Sequence, residues 1–342
     1  MLDLIPKFAR KGRGAISNTT GRYEKRTHHT VVDSWNSNDY EEPQSLRTVV
    51  TDEQSKTIIS YNKSPDLPFR QSINPYRGCE HGCVYCFARS SHAYQGLSPG
   101  LDFESKLFAK PNSAALLEAA LNTPGYVVDP IAIGTNTDPY QPIEKNREIM
   151  RQILQVLDIY NHPVSIVTKS GLILRDLDIL TPMAKRGIVS VAISITTLDG
   201  KLARTLEPRA ASPLKRLDTI QKLSDAGVQT FCLAAPMIPG LNDNELEAIV
   251  EAATTRGATG ASYIMLRLPL EIKDLFIEWL DAHQPARKSK ILRMIRECWG
   301  GRFYVSDWGI RQRGIGPYPT LMESRMRRLR KRLNLTSAER PP

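Results

Sequence analysis

The sequence predicts an α/β fold: a partial (β/α)6 TIM-type barrel with an N-terminal extension and a helical C-terminal region. Two observations predict it. Between Ser72 and Arg267, short runs rich in β-branched residues alternate with stretches of helical periodicity, the mark of parallel βα units. The runs number six, at 72–75, 131–135, 164–168, 189–195, 228–234 and 262–266. A doubly wound open sheet is the alternative use of the same units.

The elements follow in order. Residues 1–70 are poor in periodicity and rich in turn formers, with short strand candidates at 48–50 and 57–61; they read as an extension wrapped on a core. The barrel occupies 71–268. Its helices show as apolar stripes: Ile149, Ile153, Leu154 and Leu157 within 144–158, Leu217, Ile220 and Leu223 within 213–226, and Leu246, Ile249, Val250 and Ala253 within 243–256. A basic helical region spans 269–342, with helices at 271–283, 287–299 and 320–334 and a loop at 303–319.

The chain has 342 residues, enough for a sizeable core. No stretch approaches the roughly 18 apolar residues of a membrane span. The order at the N-terminus, apolar residues and then Lys7, Arg10, Lys11 and Arg13, reverses that of a signal peptide. A cytoplasmic protein with no membrane contact is expected. The net charge of +10 is uneven: residues 285–342 carry 15 Lys/Arg against 4 Asp/Glu, so the excess is local and speaks of a local partner.

Three of the five cysteines, Cys79, Cys83 and Cys86, fall within eight residues as CxxxCxxC. In a cytoplasmic chain such a group is metal-binding or catalytic. Three thiolates on one loop can hold three corners of an iron–sulfur cubane and leave the fourth iron open. Gly78 and Gly82 suit the sharp turns this needs. A structural zinc site is the competing reading, with His81 or His92 as fourth ligand, but no second CxxC is present. Cys232 and Cys298 stand alone and read as core.

Working groups in a βα barrel sit at the carboxyl ends of strands. The cysteines follow the first run. Asn136, Thr137 and Asp138 follow the second, Lys169 and Ser170 the third. Ser194, Thr196 and Thr197 end the fourth, residues 236–240 follow the fifth, and Arg267 follows the sixth. Polar groups therefore gather on the rim that carries the cysteines.

CxxxCxΦC with an aromatic at Φ, here Tyr85, resembles the signature of the radical S-adenosylmethionine (SAM) superfamily. More narrowly the chain is similar to a bacterial group labelled "DNA repair photolyase-like", distantly related to spore photoproduct lyase. Lys11–Ala15, Ser64–Asp66, Ile73–Cys83, His92–Tyr94, Gly134–Pro142, Thr168–Ser170, Arg175–Asp176 and Arg313–Pro317 carry the likeness over nearly the whole chain. The resemblance implies a [4Fe-4S] cluster on Cys79, Cys83 and Cys86. It implies SAM chelated at the open iron and reductively cleaved to a hydrogen-abstracting 5′-deoxyadenosyl radical, and an electron donor such as a reductase, flavodoxin or ferredoxin.

It also implies roles. Tyr85 would pack near the adenine. Asn136 and Asp138 stand where the family grips the methionine ammonium, though Asn-Thr-Asp-Pro is also good turn chemistry. Lys169 would neutralise the SAM carboxylate, unless it is a solvated loop lysine. Ser194 and Glu207 would bind the ribose hydroxyls, and Arg216 would pair with the carboxylate; surface ion pairs or a helix cap would use the same residues. Arg209 is a weaker candidate. Spore photoproduct lyase carries a hydrogen-donating cysteine near the second strand, and 134–138 has no thiol, so the lyase reaction does not carry over unchanged. Tyr76, Tyr94 and Tyr140 are candidates for a radical relay.

The last helix combines an apolar stripe (Leu321, Met322, Met326, Leu329, Leu333) with Arg325, Arg327, Arg328, Arg330, Lys331 and Arg332. Trp308, Arg311, Arg313 and Tyr318 precede it, a mixture suited to phosphates and stacked bases. A solvated helix would look similar. Three functions remain open: a radical SAM enzyme on nucleic acid, for repair or modification; one on a peptide or small metabolite; or a non-catalytic iron–sulfur or zinc protein that binds nucleic acid.

Overall fold

The computed structural model describes residues 9–24 and 46–337. The remaining parts of the expected extension and tail, 1–8, 25–45 and 338–342, lie outside the described residues. Two short strands come first, β1 (Val49–Asp52) and β2 (Ile59–Tyr61), then β3 (Gln71–Ile73) and β4 (Tyr76–Arg77). The cysteine loop and a 3-10 segment (Phe87–Gln95) lead to α1 (Leu101–Ser105), β5 (Lys106–Ala109) and α2 (Ser113–Leu121). The barrel continues through β6 (Ile131–Ile133), α3 (Glu144–Arg147), α4 (Ile149–Ile159), β7 (Val164–Thr168), α5 (Leu177–Lys185) and β8 (Val189–Ser194). It goes on with α6 (Gly200–Leu206), α7 (Pro213–Asp225), β9 (Gln229–Met237), α8 (Leu246–Thr255) and β10 (Gly260–Met265). α9 (Ile272–His283), α10 (Lys288–Glu297), α11 (Pro317–Leu333) and β11 (Thr336–Ser337) close the chain.

The main sheet runs β11-β10-β9-β8-β7-β6-β3-β2. Its pairs are parallel except β2 with β3. The six expected strands are thus β3 and β6 to β10, in sequence order across the sheet, as a partial barrel requires. Ile133, Ile166, Val191, Ile193 and Cys232 are fully buried, because helices cover a parallel sheet. A second small sheet, β1-β5-β4, stands beside the cysteine loop.

The barrel is open between its edge strands, and a polar contact bridges the opening. Asp66, in the turn before β3, accepts from Gly309 N at 2.7 Å and Arg311 Nε at 2.6 Å. The quoted Ser64–Asp66 stretch thereby has a structural reason.

Two local expectations are corrected. The helix at 144–158 is two helices, because Glu148 takes a left-handed backbone (φ 51°) and the Glu144 carboxylate accepts from Met150 N at 3.1 Å. The last helix begins at Pro317, since a proline's fixed φ suits a first helical turn and its missing N–H costs nothing there. Met322, Met326 and Leu329 are buried in the stripe, but Leu321 is 53% exposed. Among the described residues no helix is long and apolar enough to cross a membrane.

Candidate active site

The cysteine loop leaves β4 at Gly78, whose φ is +73°. A Cβ there would sit 2.6 Å from Leu107 and 2.9 Å from the Phe103 carbonyl. Cys79 N donates to that carbonyl at 2.9 Å, and Val84 N donates to Leu206 O at 3.0 Å. Gln141, fully buried, accepts from Glu80 N at 2.9 Å and donates to Gly78 O at 3.2 Å.

Under the loop lies a buried Arg89–Glu104 pair, 2.5 Å apart and both fully buried. Arg89 donates to the carbonyls of Cys83 (2.8 Å), Gly82 (3.1 Å), Pro99 (3.1 Å) and Gly100 (2.9 Å). Glu104 accepts from Gly14 N at 2.9 Å and Ala15 N at 2.8 Å. The Lys11–Ala15 stretch is therefore a strap laid on the cysteine loop. A Cβ on Gly14 would stand 1.8 Å from Gly82 O, a backbone atom that cannot step aside alone. Gly14→Ala is expected to displace the strap and loosen the loop, at about 1–3 kcal/mol as for other overpacked sites. A fall in melting temperature together with bound iron after reconstitution checks this; unchanged values in both would refute it.

Cys79 and Cys83 are buried and Cys86 is half-buried. Burial raises all three thiols: Cys79 with help from the Asp138 and Cys83 charges, Cys83 to about 12 with help from Glu207, and Cys86 by burial. Soft sulfur donors held this way favour a cationic iron centre that displaces their protons. The donor set fits a cluster ligated by three cysteines. Cys232, on β9, and Cys298, at the end of α10, are fully buried. Among the described residues no group of three His, Cys, Asp or Glu side chains is set to hold a single metal ion.

The strand ends bring the expected groups together and divide them. Lys169 follows β7. Its Nζ donates to Ser194 Oγ at 2.8 Å, stands 3.9 Å from Glu207 and lies 6.0 Å from the Tyr85 ring centroid. One donor is used, and two remain on a half-buried side chain. Asn136 is half-buried, and its carboxamide makes no hydrogen bond to a described residue; its backbone N–H donates to Asn74 Oδ1 at 3.0 Å. These two groups stay available to a ligand.

Asp138, Ser194, Glu207 and Arg216, expected to meet the ligand, bond to other protein groups in this structure. Asp138 accepts from Thr168 Oγ1 and Lys169 N, both at 2.7 Å, and from Tyr140 N at 2.9 Å, with His81 Nδ1 3.3 Å away. Burial would raise this carboxyl, but the His81 charge and these donors bring it down to about 2. Asp138 therefore joins the β6 and β7 ends and His81 of the cysteine loop. Ser194 Oγ donates to Ala235 O at 3.1 Å while accepting from Lys169. Glu207 accepts from Tyr85 OH, from Thr196 Oγ1 at 2.6 Å and from Arg216. Burial acts to raise it, but Arg216 and then Lys169 hold it at about 2. Arg216 is 2% exposed and gives its other donors to Ala211 O (2.8 Å) and Ser194 O (3.0 Å). Glu207 thus positions Tyr85, and Lys169 beside it. Arg209 pairs with Glu80 at 3.4 Å.

The tyrosines expected in a relay are tied elsewhere. Tyr76 is buried against Glu144, and Tyr140 donates to Asp176 at 3.1 Å. Tyr94 is 68% exposed and stacks on Tyr23. His92 is buried edge-on to Phe103, and burial pushes its pKa down to about 4. Arg89, Glu104, Gln141 and Asn74 were not foreseen as site residues, whereas Thr196 was placed on the rim and is found bonded to Glu207. Only Asn74 and Gln141 stood in quoted stretches, and the Arg89–Glu104 pairing has no sequence signal.

The radical SAM superfamily model matches residues 73–253, more than half of the chain. An uncharacterised protein of Mycobacterium tuberculosis is 37% identical over 240 residues, 69% of this chain and 71% of that protein. One of Methanocaldococcus jannaschii is 31% identical over 192 residues, 56% and 69% respectively. A spore photoproduct lyase variant superposes over 84% of this chain and 80% of its own with a TM-score of 0.58 at 14% identity. Another, bound to AdoMet and dinucleoside spore photoproduct, gives 0.57 at 13% identity over the same shares. At such identities the superpositions establish the fold, a partial α/β barrel. The superfamily match begins at Ile73, at the end of β3, and takes in the cysteine loop and strands β6 to β9. The chain belongs to the radical SAM superfamily and is a radical SAM enzyme, one of a family that works with a [4Fe-4S] cluster and S-adenosylmethionine.

Proposed function

We propose that this enzyme holds its cluster on Cys79, Cys83 and Cys86 and acts on nucleic acid, for repair or modification. With cluster and SAM bound, the site has at hand reductive cleavage of the sulfonium for hydrogen-atom abstraction from a substrate. The protein's own part is placement. Lys169, with two donors unused, meets the SAM carboxylate. Asn136, with its carboxamide oxygen free, accepts from the ammonium. Tyr85, pinned by Glu207 and Thr196, offers an immobile ring to the adenine. Asp138 and Arg216 hold those groups in position. The electron comes from a reductase, flavodoxin or ferredoxin.

The observation that carries the nucleic-acid reading is where the basic C-terminal region lies. Its 302–307 loop shares a cleft with Phe87, the neighbour of Cys86. Beyond it, Arg313, Arg327, Arg328 and Lys331 are exposed, and Trp308 is 67% exposed. The outer face is narrower than the sequence suggests: Arg325 pairs with Glu247 at 2.5 Å, Arg332 pairs with Glu251, Arg330 donates to Ala261 O at 2.8 Å, and Arg311 is held by Asp66.

Anaerobic reconstitution with iron and sulfide, then dithionite and SAM, is expected to release 5′-deoxyadenosine. Cys83→Ala should lower the yield at least 100-fold. An equal yield from the variant would overturn the cluster assignment. Binding of an oligonucleotide should weaken steeply as salt rises; salt-independent binding, or none, would overturn the substrate class.

A further inference from the structure

We infer that the cleft beside Cys86 is a substrate subsite, separate from the SAM-facing groups, which takes one phosphate-and-base unit and uses Arg267 as its anion anchor. This rests on the nucleic-acid reading and assigns it a place. The cleft holds about 540 Å³, and Phe87, Arg267, Leu270, Arg302, Tyr304 and Asp307 line it. That volume lies in the range of small-ligand sites, about 300–1,000 Å³.

Arg267 follows β10, so its side chain starts from the barrel rim that carries the cysteines. Its guanidinium carbon stands 4.9 Å from the Phe87 ring centroid. It is half-buried, yet among the described residues no carboxylate pairs with it and no acceptor takes its hydrogens. Burial, with Arg311 nearby, pushes its pKa down by more than Tyr304, Cys86 and Asp66 raise it. The nearby carboxylate that could have served, Asp66, is committed to Arg311 and Gly309 N. A stacked guanidinium with free donors is a ready partner for a phosphate, whose oxygens match its fork.

Arg302 adds a second cation to the same cleft, against one acid, the exposed Asp307. Leu270, 55% exposed, and Tyr304 supply an apolar and an aromatic surface for a base. The loop that carries Arg302 and Tyr304 is tied to the turn before β3 where Asp66 accepts from Gly309 N and Arg311 Nε. Aromatic and cationic groups in one cleft favour a nucleotide unit over an acidic peptide, which would leave the flat surfaces unused.

The test uses the full chain with Arg267→Gln, Arg267→Lys and, on the outer face of α11, Arg328→Gln. A labelled 12-nucleotide single strand is titrated by fluorescence anisotropy at several salt concentrations. Deoxycytidine 5′-phosphate is followed by saturation-transfer and 31P NMR. Arg267→Gln should weaken the oligonucleotide at least 10-fold, lower the salt slope by about one and abolish the mononucleotide signal. Arg267→Lys should recover part of both. Arg328→Gln should leave the mononucleotide signal intact. Melting temperatures within a few degrees of wild type show that the variants fold; should Arg267→Gln fail there, Arg267→Lys alone must still weaken the mononucleotide.

Equal oligonucleotide affinity and slope in wild type and Arg267→Gln would overturn the subsite while leaving the nucleic-acid reading in place. A wild type that ignores oligonucleotides but binds the mononucleotide through Arg267 would keep the phosphate site and remove that reading. A wild type that binds neither would overturn both.

Discussion

Arg89→Met is expected to destabilise the protein by about 3–5 kcal/mol, the cost of stripping one partner from a buried ion pair. Both side chains of the Arg89–Glu104 pair are fully buried, so the stranded carboxylate has no water to turn to. The loss also frees the carbonyls of Gly82 and Cys83, which Arg89 holds from beneath. Denaturant midpoints should fall, and reconstituted iron per chain should fall with them. A further variant sharpens the test. In a simple buried pair, removing both charges restores much of the stability. Here Glu104 also accepts from Gly14 N and Ala15 N, so Arg89→Met with Glu104→Leu orphans two backbone donors, at about 1–3 kcal/mol each. Full recovery in the double variant would show that the strap is not held by Glu104.

Glu207→Gln should cost a similar amount at neutral pH, about 3 kcal/mol, because Arg216 is left buried without its counter-charge. The pH dependence separates this from mere loss of packing. The Glu207 carboxyl is held at about 2, against an ordinary value of 4.5. Its folded-state value lies below its unfolded one, so its contribution is complete above about pH 4.5 and is lost as pH falls toward 2. The stability gap between wild type and Glu207→Gln should therefore be widest above pH 5 and narrow steadily below it. Asp138 titrates over nearly the same range but is present in both proteins, so it cancels in the difference. A gap constant from pH 7 to pH 3 would contradict the role given to the Glu207–Arg216 pair. A second readout is SAM binding to the reconstituted protein, which should weaken as Tyr85, and Lys169 beside it, lose their support.

Much of the site was legible because it is written locally. The cysteines lie on one loop, and their spacing needs no knowledge of the fold. Lys169 and Asn136 were legible through the strand-end rule, since β7 and β6 are marked by their own β-branched runs. At Asp138 and Ser194 the same rule, and at Glu207 and Arg216 the family resemblance, gave a place without the partners each residue bonds there. The rule locates a residue on the rim but says nothing about whom that residue meets there. Glu207 and Arg216 are nine residues apart and pair with each other, Arg216 also donating to Ser194 O at the end of β8, so each uses donors or acceptors on protein partners.

By itself the sequence determined the order of the six parallel strands, the gathering of three cysteines on one loop and the uneven charge of the chain, because periodicity, spacing and composition are properties of neighbours along the backbone. Only the tertiary structure decided which rim groups remain free. It laid the Gly14 strap on the cysteine loop across 90 residues of chain to Glu104. It joined Asp66 to Arg311, 245 residues apart, and so committed a carboxylate that Arg267, unpaired among the described residues, could have used. Hydrogen-bond capacity is finite, and which groups exhaust it is settled by packing between distant segments, on which local pattern is silent.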